Sequence, residues 1–494
     1  MRLATLLRDA LGVDGPLAEG PEVLAIVQRH DRVAPGALFV ARKGERFDAH
    51  HVLHEAVAAG AVAVVGEAAL PDPLPWGGVP YLRVPDARVA LAKLAAAFHG
   101  RPAEHLTVLG VTGTDGKTTT ATLLHHLLVG RHPSGLVSTA AIRVGSEAVP
   151  LEGHFTTPEA TEVQALLARC RDQGLSHVVL ECSSHGFSLH RLDQVAFAVG
   201  VWTNLSPEHL DHHGTMAAYR EAKATLMRRS RVSVLNRDEP DFAYFAAAAR
   251  RVVDYGEHPD SDLRLEAVDE EPGALTLRLR AEGERLRARL PMVGRYNAWN
   301  ALAALAAARE VGVPLAEGAE RLAAFRGVPG RMQVVQDRPF TVVVDFAHTA
   351  PALAKALTAL RPAPPCRLLV VVGSAGERDP GKRAPLGETA ARHADLAFFT
   401  EEDARSENLD NILEAMASGA RSAGARDGRE FRLVPERREA IRQAVAEARP
   451  GDVVLLAGKG HEATLERAAE TLPWDEAAEA AAALRLLGGP TTEP

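Results

Sequence analysis

Val111-Thr-Gly-Thr-Asp-Gly-Lys-Thr-Thr-Thr120 decides how this chain is read. An apolar run (Leu106, Val108, Leu109, Val111) leads into the stretch, and a helical pattern (Ala121, Leu123, Leu124, Leu127, Leu128) leads out of it. The order is strand, glycine-containing loop, helix. Gly113 and Gly116 let the backbone approach a polyphosphate and turn N–H groups toward its oxygens, with Thr114, Asp115 and Thr119 completing the cradle. Lys117 reaches the terminal phosphates, and the Thr118 hydroxyl can ligate Mg²⁺. The spacing departs from the usual Walker form, because only Asp115 stands between Thr114 and Gly116. The stretch implies a nucleoside triphosphate ligand.

The chain around it has 494 residues, enough for about three domains. With 46% apolar and 24% charged residues it has the composition of a soluble globular protein. A net charge of −8, without a dense basic face, argues against a nucleic-acid partner. No apolar stretch approaches the ~20 residues that span a membrane, and the N-terminus reads as a short amphipathic helix, so a cytoplasmic chain is expected. Its three cysteines lack metal-ligand spacing and read as structural thiols in a reducing compartment. Only seven lysines (43, 93, 117, 223, 355, 382, 459) stand among 56 basic residues. Where arginine supplies most positive charge, a retained lysine points to amine chemistry.

Strands outside the phosphate loop alternate with helices, which predicts parallel sheets with ligands at the carboxyl ends of strands. Residues 1–102 form a first small α/β unit. Residues 103–331 form a second that includes strands Val178–Glu181, Phe197–Val201 and Val232–Leu235, with a hairpin over Leu263–Leu290. Residues 332–494 form a third, with strands Phe340–Asp345, Arg367–Val372, Leu396–Phe399 and Val453–Ala457. The tail after Leu487 reads as disordered.

Glu181 ends an apolar strand of the phosphate-loop sheet, where a carboxylate is well placed for Mg²⁺. Thr203-Asn-Leu-Ser-Pro-Glu-His-Leu-Asp-His-His-Gly214 packs three histidines and two acids close together, and neutral imidazole can supplement oxygen ligands there. Spacing alone leaves Lys223 a solvated helix lysine.

Several stretches stand in order along the chain: Thr112–Thr118, Glu181-Cys-Ser-Ser-His185, Thr203–Gly214, Ala222-Lys223, Asn297-Ala-Trp-Asn300, Asp345-Phe-Ala-His348 and Gly458-Lys-Gly-His-Glu462. Together they resemble the Mur ligase family, most nearly the members that add the third peptide residue to the peptidoglycan precursor. The resemblance covers essentially the whole chain. It implies three α/β domains: an N-terminal UDP-substrate-binding domain, a central P-loop mononucleotide-binding domain with a parallel sheet, and a C-terminal Rossmann-like amino-acid-binding domain. It also implies an ATP- and Mg²⁺-dependent amide ligase, with UDP-MurNAc-dipeptide and an amino acid as small-molecule partners, acting as a monomer.

By the same resemblance, Thr118 and Glu181 hold one Mg²⁺, His209 helps bind a second, and Lys117 stabilises the transferred phosphoryl group. Lys223 matches a carbamylated lysine that serves as an anionic Mg²⁺ ligand. Asn300, Arg331, Asp345 and His348 match nucleoside contacts. Thr156, Thr157, Ser183 and Arg191 match contacts to the UDP-sugar substrate. Arg378, Asp403, Arg405, Gly458 and Glu462 match the acceptor pocket. Enzymes adding meso-diaminopimelate usually carry Asp-Asn-Pro-Arg where this chain has Glu402-Asp-Ala-Arg405. The extra acid disfavours a distal carboxylate and welcomes a distal ammonium, so lysine or ornithine is expected over diaminopimelate, with Arg405 pulling the other way. Arg29-His30-Asp31 and Leu189 also depart from the family, so uridine contacts do not transfer. A sibling Mur or folylpolyglutamate-type ligase is the nearest rival reading. A P-loop NTPase or phosphotransferase would leave the third domain and Lys223 without a role.

Overall fold

A computed structural model of the chain describes all residues except 14–19, 45–46, 71–73, 151–155, 272 and 489–494. The tail expected to be disordered lies almost wholly outside the described residues. Three α/β sheets carry the architecture, as the alternation of strands and helices predicts. By internal contacts the chain divides into two compact units, Met1–Arg264 with Leu302–Gly318, and Leu265–Ala301 with the chain from Ala319 onward.

The first unit holds two of the sheets. Strands Ala25–Val27, Ala37–Val40, Ala61–Gly66 and Tyr81–Arg83 pair in parallel in that order. Their apolar side chains divide between two cores, one against helices Leu3–Leu11 and Ala87–Phe98 and one on the other face. In the larger sheet, Thr107–Thr112 lies between Phe197–Trp202 and His177–Glu181, all parallel. Ser230–Asn236 and Val252–Gly256 extend it on one side and Ser134–Val137 on the other. The phosphate-loop strand is therefore central and buried from Val108 to Thr112, which accounts for the apolar run Val108–Val111. Strand Leu263–Glu271 leaves beside Val252–Gly256 and carries the chain toward the hairpin.

In the second unit, Ala274–Ala281 and Glu284–Leu290 pair antiparallel, the hairpin expected from their alternation. The third sheet runs Gln333–Gln336, Thr341–Asp345, Val453–Ala457, Leu368–Val372, Leu396–Phe399, Phe431–Leu433, parallel except at its first strand. Along Leu368–Val372 the period of two sends residues 368, 370 and 372 into one core and 369 and 371 into the other. Helices cover both faces, so its strands read as uninterrupted apolar runs. Among the described residues no helix is long and apolar enough to cross a membrane.

Candidate active site

The phosphate loop leaves the central strand at Gly113 (φ +150°) and enters helix Lys117–Val129 through Gly116 (φ +80°), both in the region that favours glycine. The neighbouring strand end clasps it. Thr114 N donates to Asn204 O (3.0 Å), Asp115 N to Asn204 Oδ1 (2.8 Å), and Thr203 Oγ1 to Asp115 O (2.7 Å). Thr114 Oγ1 donates to Ser206 O and lies 3.1 Å from the Tyr219 hydroxyl. Thr119 is buried in the first turn of the helix.

Two amines meet on one carbonyl. Lys117 Nζ donates to Gly113 O (3.1 Å) and Thr114 O (2.7 Å), and Lys223 Nζ donates to the same Gly113 O at 2.5 Å. Lys223 is 1% exposed and stands 4.4 Å over the Tyr219 ring. Burial, reinforced by the Lys117 charge, holds its pKa well below the ordinary lysine value. Such an amine is neutral far more often than a surface lysine. It is therefore able to react as a nucleophile.

Glu181 is 2% exposed at the carboxyl end of its strand. Its Oε1 accepts from Thr118 Oγ1 (2.9 Å), and its Oε2 from Thr139 N (2.8 Å) and Thr139 Oγ1 (3.0 Å). Among the described residues no cation pairs with it. A buried carboxylate facing hydroxyl and amide donors but no positive charge suits a hard divalent cation. No group of three His, Cys, Asp or Glu side chains among the described residues is arranged to hold a metal by itself. Mg²⁺ takes one or two carboxylates and leaves its other positions to water and substrate phosphates.

His209 (φ +54°) begins the short helix Leu210–His213, half-exposed, 3.7 Å from Glu208. It belongs to a packed group of imidazoles: His185 lies 4.7 Å from His209, 4.2 Å from His212 and 5.5 Å from His213 by ring centroids. Burial and the neighbouring rings depress His185 to about 3, and burial and His212 bring His213 to about 4. Burial also lowers His209, with Lys117 and Lys223 acting in the same sense against Glu208. Burial thus favours the neutral imidazole, with its lone pair, at His185, His209 and His213.

The residues expected to touch the nucleotide sugar form one hydrogen-bonded group. Thr157 Oγ1 donates to Glu181 O (3.0 Å) and accepts from Ser183 N (2.9 Å) and Ser183 Oγ (3.0 Å); Ser183 Oγ in turn accepts from Gly186 N. Both hydroxyls therefore build the turn. Arg191, 7% exposed, donates to Thr157 O (2.8 Å) and Glu159 Oε1 (2.7 Å). Thr156 is half-buried beside them.

In the second unit, Asp345 ends its strand with Oδ2 accepting from Met332 N (2.8 Å) and Oδ1 from Ala347 N (2.9 Å). It fixes the turn carrying Arg331. The cap of helix Ala350–Leu360 is Thr349 instead. Arg331 lies over the Phe346 ring at 4.4 Å, and His348 and His461 pack on that ring at 4.6 and 5.0 Å. The result is a cluster of mutually tilted rings and a guanidinium able to stack on a nucleobase, and Phe346 is the member that spacing did not single out. Asn300 Nδ2 donates to Asn297 Oδ1 (2.9 Å) at the start of its helix.

Around the third sheet's strand ends, Lys459 Nζ, fully buried, contacts Asp403 Oδ1 (2.8 Å) and Glu462 Oε2 (2.7 Å). Asp403 is thus no free charge: its electrostatic demand is met by Lys459, with Glu466 N also donating to Oδ1. Arg405 is likewise engaged, by Glu466 Oε2 (2.7 Å) and Gly376 O (2.7 Å). The unmatched acid is Glu402. It is buried, its Oε2 accepts no hydrogen bond among the described residues, and burial raises its pKa. Gly458 (φ +105°) leaves room for it, since a Cβ there would lie 2.6 Å from Glu402 Oε2. Arg378 is exposed in the loop after strand Leu368–Val372.

Three family models match the chain in sequence. The model described as "Mur ligase family, catalytic domain" matches residues 31–99, "Mur ligase middle domain" 111–308, and "Mur ligase, glutamate ligase domain" 330–460. A UDP-N-acetylmuramyl-tripeptide synthetase of Deinococcus radiodurans is 48% identical, over 94% of this chain and 95% of that one. A UDP-N-acetylmuramoyl-L-alanyl-D-glutamate–2,6-diaminopimelate ligase of Streptomyces coelicolor is 40% identical, over 95% and 94%. A solved structure of a ligase of the latter name superposes with a TM-score of 0.67 at 26% identity, over 99% of this chain and 100% of that one.

Proposed function

The chain belongs to the Mur ligase family, and from that premise we propose that it joins a third amino acid, lysine or ornithine, to UDP-MurNAc-L-Ala-D-Glu at the expense of ATP. In this reading residues 1–102 bind the UDP end of the substrate, 103–331 bind ATP, and 332–494 bind the amino acid. The observation that carries it is the pair of amines on Gly113 O, in the loop whose Thr118 donates to Glu181, a carboxylate with no ion pair among the described residues.

The γ-carboxylate of D-glutamate attacks the γ-phosphorus of ATP, the β–γ bridging P–O bond breaks, and ADP leaves. The acyl phosphate formed is then attacked at its carbonyl carbon by the acceptor's neutral α-amine. The C–O bond to phosphate breaks, an amide forms, and phosphate and a proton are released. A carboxylate approaching a triphosphate meets like-charge repulsion, which Lys117 relieves by leaving the loop carbonyls for the phosphate oxygens. Thr118 and Glu181 would hold one Mg²⁺ and His209 would help hold a second, with Lys223 as a further ligand, and the ions would supply positive charge to those oxygens. Lys223 joins this set once its neutral amine adds CO₂, forming an N–C bond and losing a proton to become an anionic carbamate. Arginine at that position cannot do this readily. Arg331, Phe346 and His348 seat the nucleoside, with Asp345 fixing their turn, and Asn300 joins them by the family resemblance.

For the acceptor, support comes from what is already paired. Arg405, the group suited to a distal carboxylate, is held by Glu466, whereas Glu402 Oε2 accepts no hydrogen bond among the described residues. A distal ammonium satisfies Glu402, and a distal carboxylate would be buried against it. Direct competition among lysine, ornithine and meso-diaminopimelate checks this. A basic acceptor is expected to win by a kcat/KM ratio of roughly 100 or more, about the worth of one buried charged partner. Glu402→Gln should erase most of that ratio. Preference for diaminopimelate by the unaltered enzyme would defeat the acceptor assignment.

A further inference from the structure

Arg42 follows strand Ala37–Val40 of the first sheet, far in sequence from the residues assigned to the nucleotide sugar. Its NH1 nevertheless lies 3.1 Å from Glu159 Oε2, and the other oxygen of that carboxylate is 2.7 Å from Arg191 NH2. One carboxylate thus bridges two guanidiniums drawn from distant segments of the same unit, Arg42 in the loop after a strand and Arg191 in the turn after helix Ser184–Ser188. The Glu159 backbone is fixed as well, since its N–H donates to Glu162 Oε2 (3.2 Å) at the start of helix Ala160–Asp172. Arg191 is held at its other edge by Thr157 O, and through Thr157 the chain of bonds reaches Ser183 and the Glu181 carbonyl. Arg191 matches a family substrate contact, whereas Arg42 and Glu159 lie in none of the family stretches.

Such an arrangement does more than join two surfaces. An exposed ion pair contributes little to stability, but here the side chains are 23%, 13% and 8% exposed for Arg42, Glu159 and Arg191. With Arg42 removed, Glu159 would keep its full charge for Arg191 alone and draw that guanidinium into a closed pair, reducing what it offers an anion. With Arg42 present, the carboxylate is shared.

We propose that Arg42 is a positioning residue for the nucleotide-sugar substrate: acting through Glu159, it holds the Arg191 guanidinium in the orientation that receives the substrate's diphosphate. This rests on the ligase reading above and adds to it a residue from the loop after a strand of the first sheet. Arginine suits the task because a planar guanidinium can hold one carboxylate oxygen while keeping other N–H groups for a second anion.

The test compares Arg42→Ala and Arg42→Lys with the unaltered enzyme, measuring KM for UDP-MurNAc-L-Ala-D-Glu, KM for ATP, Kd for UDP alone, and the melting midpoint. Arg42→Ala should raise the nucleotide-sugar KM and the UDP Kd roughly tenfold or more, the scale of one charge-assisted contact, leaving the ATP KM within about twofold. Arg42→Lys should recover part of the loss at an unchanged midpoint. Equal shifts in both KM values together with a lowered midpoint would mean a purely structural ion pair and overturn the proposal. A raised nucleotide-sugar KM with unchanged UDP binding would overturn the diphosphate as the group held. Failure of the unaltered enzyme to turn over the nucleotide sugar would instead remove the ligase reading. Normal turnover with an unaffected Arg42→Ala variant removes this inference alone.

Discussion

Lys223→Ala is expected to lower ATP-dependent ligation about 10³-fold, the scale seen when a group stabilising a transferred phosphoryl is deleted. Short carboxylic acids such as acetate should restore part of the rate. The alanine leaves a cavity where a buried side chain reached Gly113 O, and a small carboxylate can enter it and replace the carbamate's charge. Lys223→Arg keeps a cation and fills the space, so the same acids should not rescue it. In the unaltered enzyme, activity should fall in CO₂-free buffer and return with bicarbonate. Because burial lowers the Lys223 pKa, the neutral amine needed for the modification becomes available as pH rises through that lowered value, well before an ordinary lysine would deprotonate. Loading should therefore increase with pH across that window. An alanine variant of near-normal rate, or one rescued by amines rather than carboxylates, would contradict the role.

Gly113→Ala should weaken ATP binding severely while the protein still folds. The residue holds φ +150°, and a Cβ there would lie 1.9 Å from Thr203 Oγ1 and 3.2 Å from Asn204 N. Neither neighbour can give way cheaply, because Thr203 and Asn204 are the groups that clasp the loop. Backbone strain of about 1–3 kcal/mol adds to that clash. The loop must move, and with it the carbonyl on which Lys117 and Lys223 converge. Titration with a non-hydrolysable ATP analogue is expected to give an affinity loss of roughly 100-fold or more, combining strain with lost phosphate contacts. Gly174→Ala, at φ +74° with nothing within 4 Å of the added carbon, is the matched control and should bind normally. Unchanged affinity in Gly113→Ala would mean that the loop does not hold the triphosphate.

What could be read in advance follows from distance along the chain. The phosphate loop was legible because its glycines, Lys117 and Thr118 are consecutive, and strand, turn and helix are local events. The Glu181 position was legible because an acid closing an apolar strand lands at the sheet's carboxyl edge whatever the partner. Pairings across long separations were not. Asp403 looked like an added negative charge in the acceptor pocket, and only folding shows that Lys459, 56 residues later, neutralises it. Glu402, next to it in the same quoted stretch, went unmarked because nothing local says which of two adjacent acids lacks a partner. Arg42 meets Glu159 across 117 residues, with no periodicity to announce it. The Thr157 and Ser183 hydroxyls drew notice as substrate groups, yet each is occupied in shaping the turn beneath Arg191.

The most direct test of the ligase assignment is phosphate release measured together with product mass, using ATP, Mg²⁺, UDP-MurNAc-L-Ala-D-Glu and lysine, ornithine or diaminopimelate in parallel. The account predicts one phosphate for each product molecule, and a product heavier than the nucleotide sugar by one dehydrated lysine or ornithine. Phosphate release without a heavier product under any of the three acceptors would contradict it.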